Sequence, residues 1–385
     1  MDFQLNEEQR MLKTLVHELA EKELWAKEKE WEDSEQHVPP DYVKKLASLG
    51  LLGIALPKEY GGSGLTALEA VIAVEEAARA SPRVGRIIFE SNLGPVRVVE
   101  QFGSTEQKRK YIPPVCNGDF LIGVAMTEPE AGSALTDLKT RAILDGDHYI
   151  VNGQKRFVTG APNCGAYIVY VRLSEQRGAK GIGALIVDRD APGLSFGAEE
   201  KFLGLHAPRC DMFFDDCRIP KANLVVGEGG FSKLMTAFDL QRCGNAAQCL
   251  GIAQGALEIA MAYSQERHQF GRPICEFQAV QFMLADMALK VEAARLLIYR
   301  AAASAGTGLA RPLDAMLAKC FANEMVREVC GLAIQVLGGY GYSKAYPVER
   351  MFRDAWGYGI AGGTIQIQKI GIVSQLLGRR FGQRR

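Results

Sequence analysis

At 385 residues the chain can bury a large core, and its length suggests two or three domains. Its 45 basic and 45 acidic residues cancel, so no net charge draws it to nucleic acid or to an acidic membrane face, and the short basic tail, Arg379-Arg380 and Arg384-Arg385, reads as a solvated end. The 9 cysteines are odd in number, form no CxxC pair and sit in apolar or mixed stretches, which excludes a disulfide frame and points to reduced thiols in a cytoplasmic protein. The histidines at 17, 37, 148, 206 and 268 are too scattered for a metal site.

In chain order, the polar start "MDFQLNEEQRMLK" is not a signal peptide, and no apolar run reaches the ~18 residues that a membrane span needs. Leu12, Leu15, Val16 and Leu19 repeat at helical spacing, predicting an amphipathic helix. Pro39-Pro40 and Gly61-Gly62 separate further helices, and Pro113-Pro114 is expected to close the helical region, placing a first domain over 1–118. Short β-branched and aromatic runs follow, "HYIVNGQKRFVTG", "AYIVYVRL", "IGALIVDR" and "DMFFDD", predicting a β domain over 119–228, with Asn152-Gly153 as a hairpin turn. Long Ala- and Leu-rich periodic segments then run over 229–385, predicting a helix bundle whose second apolar faces serve oligomer contacts. The fold class is therefore α with a β middle domain, and small-ligand clefts are expected at the joints.

Several stretches carry groups suited to a ligand. In "VAMTEPEAGSALTDLKT", Thr127 and Ser133 offer hydroxyls, and in "RFVTG" Phe157 offers a ring face and Thr159 a hydroxyl. Each alone is equally a polar turn. "ERHQFGRPICEFQ" joins two helices and holds Arg267, Phe270 and Gln278, of which Arg267 has the planar fork that suits a pyrophosphate. "QVLGGYGY" places Gln335 and Gly339 at a helix C-terminus, where backbone can approach a phosphate or ribose, although a glycine pair there is also an ordinary helix stop.

Together and in this order, these segments resemble the FAD-dependent acyl-CoA dehydrogenases over essentially the whole chain. The resemblance implies an N-terminal helical domain, a middle β-barrel-like domain and a C-terminal four-helix bundle. It also implies FAD between the β domain and the bundle, an acyl-CoA thioester substrate and a homotetramer built as a dimer of dimers. By motif, Thr127, Phe157 and Thr159 would touch the flavin, and Thr364 and Gln366 would also face the FAD. Arg267, Phe270, Gln278, Gln335 and Gly339 would hold its pyrophosphate and adenosine across the subunit contact, while Ser133, Asp239 and Arg242 would lie along the coenzyme A arm.

The match has an instructive gap. In most of the family the position of Gly362, within "IAGGTIQIQ", is a glutamate that removes the α-proton, and glycine has no side chain to do so. In "FDLQRCG", the alternative base position holds Gln241, a neutral amide, and Asp239 points to another helix face. "VGRIIFESNLG" adds Arg86, whose guanidinium suits an acyl group ending in an anion, unless an ion pair with Glu90 one turn later consumes it. "VGRIIFESNLG", Gln241-Arg242 and "IAGGTIQI" resemble the branch of the family that desulfinates 3-sulfinopropionyl-CoA to propionyl-CoA and sulfite with no net oxidation. On that resemblance, Arg86 and Gln241 carry the chemistry. Two alternatives stay open: α,β-dehydrogenation of a short acyl-CoA, and a non-catalytic subunit of a heteromeric dehydrogenase.

Overall fold

The computed structural model describes residues 4–204, 207–379 and 381. His206 and Arg380, Arg384 and Arg385 of the basic tail lie outside the described residues.

Seven α-helices lead: α1 (Glu7–Leu19), α2 (Trp25–Asp33), α3 (Pro40–Ser48), α4 (Ala67–Ala80), α5 (Pro82–Asn92), α6 (Val96–Phe102) and α7 (Thr105–Cys116). Local chemistry starts them. Asn6 with Gln9, Thr66 with Glu69, and Ser104 with Gln107 form reciprocal capping boxes on α1, α4 and α7. The first helix buries Val16 and Leu19 but leaves Leu15 44% exposed, so its apolar face is narrower than the periodicity predicts. Pro113-Pro114 does not close the region and rides inside α7. The carbonyls that lose a donor there belong to Arg109 and Lys110, which are exposed, so water can take the place of the missing N–H groups.

Strands β1 (Ile122–Ala125), β2 (Arg141–Asp145), β3 (His148–Thr159), β4 (Ala166–Arg172), β5 (Ile182–Asp188), β6 (Leu194–Phe196), β7 (Arg209–Pro220) and β8 (Leu224–Val226) form one sheet. Its order is β6-β7-β3-β2-β4-β5-β8, with β1 beside β4. The Asn152-Gly153 hairpin does not form. β3 runs straight through it, and the turn lies at Gly146-Asp147 between β2 and β3. Asn152 instead bonds Asp216 on β7, accepting from its N–H at 2.8 Å and donating to its carboxylate at 2.9 Å. Gly153 sits at a register shift, where an added Cβ would lie 2.7 Å from Thr140 Cα. The pair thus marks a β-bulge, a use of Asn-Gly that period-2 reading cannot separate from a turn.

The chain then forms α8 (Phe231–Glu266), a two-strand ribbon of β9 (His268–Gln269) and β10 (Arg272–Pro273), α9 (Gln278–Ala303), α10 (Pro312–Leu337), α11 (Val348–Tyr358) and α12 (Ile365–Leu376). One core joins α4 and α5 to α8, α9 and α10, and two smaller cores pack against the sheet. The face of α9 turned away from its core carries Phe282, Leu289 and Leu296 at seven-residue spacing, exposed by 61%, 69% and 44%. Among the described residues no helix is long and apolar enough to cross a membrane.

Arg83 has a structural task. It is 1% exposed, pairs with the fully buried Glu28 and lies 2.7 Å from Glu32, while Arg353 reaches Glu32 from α11, also at 2.7 Å. The network ties α2 to α5 and α11. Removing one partner leaves a buried charge uncompensated, so Arg83→Met is expected to cost about 3–5 kcal/mol, measured as a lower urea midpoint at unchanged slope. A midpoint equal to wild type would show that Arg83 is dispensable to the fold.

Candidate active site

The loop after β1 is held by a buried ion pair. Lys155 on β3 is fully buried, and its Nζ lies 2.7 Å from Glu128 Oε1 and donates to the Met126 carbonyl at 3.2 Å. Glu128 also accepts from the N–H groups of Lys139 and Thr140. Burial alone would raise the Glu128 carboxyl, but the Lys155 charge and these donors hold it below its ordinary value. Burial pushes the Lys155 ammonium down to about 8 against the pull of Glu128. The pair pins the segment that carries Thr127, half-buried, and Ser133, exposed.

Phe157 is set by a second bulge. The β3–β7 register shifts between Lys155 and Val158, and Phe157 adopts φ +57°. A bulky residue in that region costs ~1–3 kcal/mol, a strain characteristic of ligand sites. It leaves the ring 44% exposed, edge-on to Phe202 at 6.0 Å, with the Arg156 guanidinium 4.6 Å from its centroid. Two residues on, the Thr159 hydroxyl accepts from Arg209 Nε at 3.0 Å, so its own O–H stays available to donate.

Arg209, the first residue of β7, is the group the sequence reading missed; nothing in "HAPRCDMFF" separates it from a surface arginine. Burial and then the charge of Arg86 depress its pKa, and Glu90 is within electrostatic range of it. Arg86 and Glu90 share one face of α5, a turn apart. Burial pushes Glu90 up to about 7, with Arg86 and then Arg209 pulling against it. Two guanidinium groups, one on α5 and one on the sheet, are therefore within electrostatic range of one carboxyl of raised pKa.

On the bundle side, α8 supplies Phe238, Asp239, Gln241 and Arg242. Asp239 is 2% exposed and paired with Arg242, while burial raises its carboxyl against the pull of that arginine. It is thus occupied by that pair. Arg242 also lies 5.5 Å from the Phe238 ring centroid, and Gln241 is 7% exposed. Gly362 faces Phe238: a Cβ added there would sit 3.5 Å from its ring, in ordinary contact. Gly362 and Gly363 take φ +66° and +82°, which glycine adopts without strain, and Thr364 then caps α12 by accepting from the Ile367 N–H at 3.3 Å. Gln366 is exposed on the first turn.

The remaining predicted residues form a separate group. Arg267 ends α8, about 39 Å along the helix from Gln241 at 1.5 Å per residue. The β9–β10 ribbon turns on Phe270 and Gly271, at φ +51° and +80°, and projects Phe270 with 94% of its surface exposed. Gln278 opens α9, and Gln335 and Gly339 lie at the end of α10; all three are exposed. An added Cβ at Gly338 or Gly339 would meet nothing within 4 Å. A half-exposed ring, two hydroxyls and an open glycine pair suit the parts of a flavin dinucleotide, but one chain presents them as two groups.

Residues 6–119, 123–217 and 228–377 match the acyl-CoA dehydrogenase N-terminal, middle and C-terminal domains. The chain is 41% identical over 383 residues to acryloyl-CoA reductase (NADH) of Anaerotignum propionicum, covering 98% of this chain and 97% of that one. It is also 41% identical over 362 residues to 3-sulfinopropanoyl-CoA desulfinase of Variovorax paradoxus, covering 92% and 90%. The solved butyryl-CoA dehydrogenase of Megasphaera elsdenii superposes with a TM-score of 0.94 at 36% identity, covering 98% of this chain and all of that one.

Proposed function

The chain belongs to the acyl-CoA dehydrogenase family, whose cofactor is FAD, and we propose that within it the protein acts on a short acyl-CoA ending in an anion, desulfinating 3-sulfinopropionyl-CoA. The carbon–sulfur bond breaks with its electron pair staying on carbon, which takes a proton from water. The hydroxide joins sulfur, giving propionyl-CoA and hydrogen sulfite. Carbon is reduced and sulfur oxidised within one substrate, so no external acceptor is consumed.

What supports this reading is that the positions expected to carry the family's base hold none, and that cations stand where the acyl end is expected. Gly362 has no side chain and Gln241 is an amide, while Arg86 and Arg209 are both within electrostatic range of Glu90. A guanidinium binds the two sulfinate oxygens through parallel N–H bonds, and Gln241 hydrogen-bonds the same group or a water. A carboxylate at residue 362 would instead repel that anion. FAD, when bound, supplies a flat ring system able to accept electrons. Phe157 would orient it and the Thr159 hydroxyl would donate to it. Arg267, Phe270, Gln278, Gln335 and Gly339 would serve the cofactor of a neighbouring copy, since about 39 Å of α8 separates them from the first group. Such sharing requires at least a dimer, and the exposed stripe on α9 suits further contacts between copies, as in a homotetramer.

One observation favours dehydrogenation instead. Glu90, at about 7, has the proton affinity of a general base near neutral pH, and it lies beside Arg86. Incubation with 3-sulfinopropionyl-CoA separates the two. Sulfite released without an electron acceptor, and still released by Glu90→Gln, is the expected result. Dye reduction with a saturated thioester that Glu90→Gln abolishes would establish the dehydrogenase. A chain inert in both assays until a paralogous partner is added would be a non-catalytic subunit.

A further inference from the structure

Lys319 lies on α10 in the apolar run "AMLAKCFAN" and is completely buried. Its Nζ donates to the carbonyls of Gly363 at 2.9 Å and Tyr358 at 3.3 Å, and to Asn323 Oδ1 at 3.0 Å. Those acceptors are themselves held. Asn323 donates to Asn245 Oδ1 at 2.9 Å, Asn245 donates to the Tyr358 carbonyl at 3.4 Å, and Gln368 donates to the Gly363 carbonyl at 3.1 Å. Three acceptors match the three protons of an ammonium, whereas a neutral amine has two. The network therefore selects the charged form.

That charge has no counter-ion among the described residues. Lys155, the other fully buried lysine, pairs with Glu128, but among the described residues no carboxylate forms an ion pair with Lys319. The charged groups felt most strongly around it include Arg242 from α8 and Arg327 from α10, with the thiols Cys249 and Cys320 beside them. With no carboxylate there, burial pushes Lys319 down to about 8. A Cβ added at Gly362 would lie 3.7 Å from Lys319 Cε, so the lysine stem borders the space that the missing side chain leaves.

We propose that Lys319 is the electrostatic positioning residue of this site: its ammonium pins the Tyr358–Gly363 loop and, uncompensated because residue 362 is glycine, stabilises a bound thioester that becomes anionic against that loop. The inference rests on the reading that the loop lines the thioester site, but not on the terminal anion or on desulfination. A buried cation without a counter-charge favours ligands that bring one, and the ligand in turn holds the lysine protonated.

The test uses FAD-loaded protein and acetoacetyl-CoA, a thioester with no terminal acid whose enolate has its own ultraviolet absorbance. Titrating the bound ligand with pH is expected to show ionisation at least tenfold easier in wild type than in free solution. Lys319→Gln keeps two donors for the loop but no charge, and is expected to lose at least tenfold of that preference, whereas Lys319→Arg retains most of it. A purely structural lysine would weaken binding of every thioester without moving the ionisation. Wild-type protein that binds the ligand with its free-solution ionisation overturns the proposal, whatever the variants do. So does a Lys319→Gln protein that ionises the ligand as wild type does. A positive enolate shift together with a negative sulfite assay would sink the desulfinase reading alone.

Discussion

Arg86→Lys protein is expected to purify with its full complement of FAD and to turn over 3-sulfinopropionyl-CoA about a hundredfold more slowly, the factor that ~2–3 kcal/mol of lost charge-assisted hydrogen bonding represents. The charge survives the substitution; the planar fork that grips two oxygens does not. Arg83 cannot take over, because Glu28 and Glu32 hold its guanidinium in a buried ion-pair network. Arg209 can supply attraction, but its guanidinium is anchored on β7 through the Nε–Thr159 bond and does not replace a group on α5. The measurement is kcat/KM for sulfite release beside the flavin absorbance of the same preparation. Full activity with full flavin would remove Arg86 from the site.

Gly362→Glu is expected to load FAD and yet fail as a butyryl-CoA dehydrogenase. Space does not forbid the side chain, since the added Cβ finds only ordinary contacts with Phe238 and Lys319. Three other effects oppose it. The residue sits at φ +66°, a region that costs a residue with a side chain ~1–2 kcal/mol. The Lys319 stem 3.7 Å away brings a positive charge that lowers the new carboxylate's proton affinity and weakens it as a base. On the proposed reading Arg86 still borders the acyl end, where burying its charge against a plain hydrocarbon chain is unfavourable. Acceptor-dependent dye reduction with butyryl-CoA measures the outcome, and robust oxidation would contradict the idea that cations, more than the lost base, define this site.

The two arginines of "SPRVGRII" show where sequence reading stops. Their spacing places Arg83 and Arg86 almost a helical turn apart, and both could face an acyl group. Only packing assigns Arg83 to Glu28, a residue 55 positions earlier in the chain, because such a pairing leaves no local pattern. Lys319 did carry a signal, a lone cation inside an apolar helical run, which marks either a snorkelling side chain or a buried polar network. Arg209 carried none. Asn152-Gly153 misled for a definite reason: the residues that permit a type I′ turn also permit a bulge, and the choice belongs to the strand alongside, where Asp216 takes both hydrogen bonds of the Asn152 amide.

From residues alone came the α–β–α order and, by resemblance, the family, together with the expectation of a ring and hydroxyls for a flavin and of an empty base position. The order depends on periodicity and the resemblance on residue types at short spacing, which each segment carries within itself. The tertiary structure alone decided which charges are compensated. It tied Arg83 and Asp239 into pairs, brought Arg209 within electrostatic range of Arg86 and Glu90, and among the described residues left Lys319 without a counter-ion. The net charge of a site is a sum over groups that are distant in sequence, and the desolvation that gives each charge its strength exists only once the chain is packed.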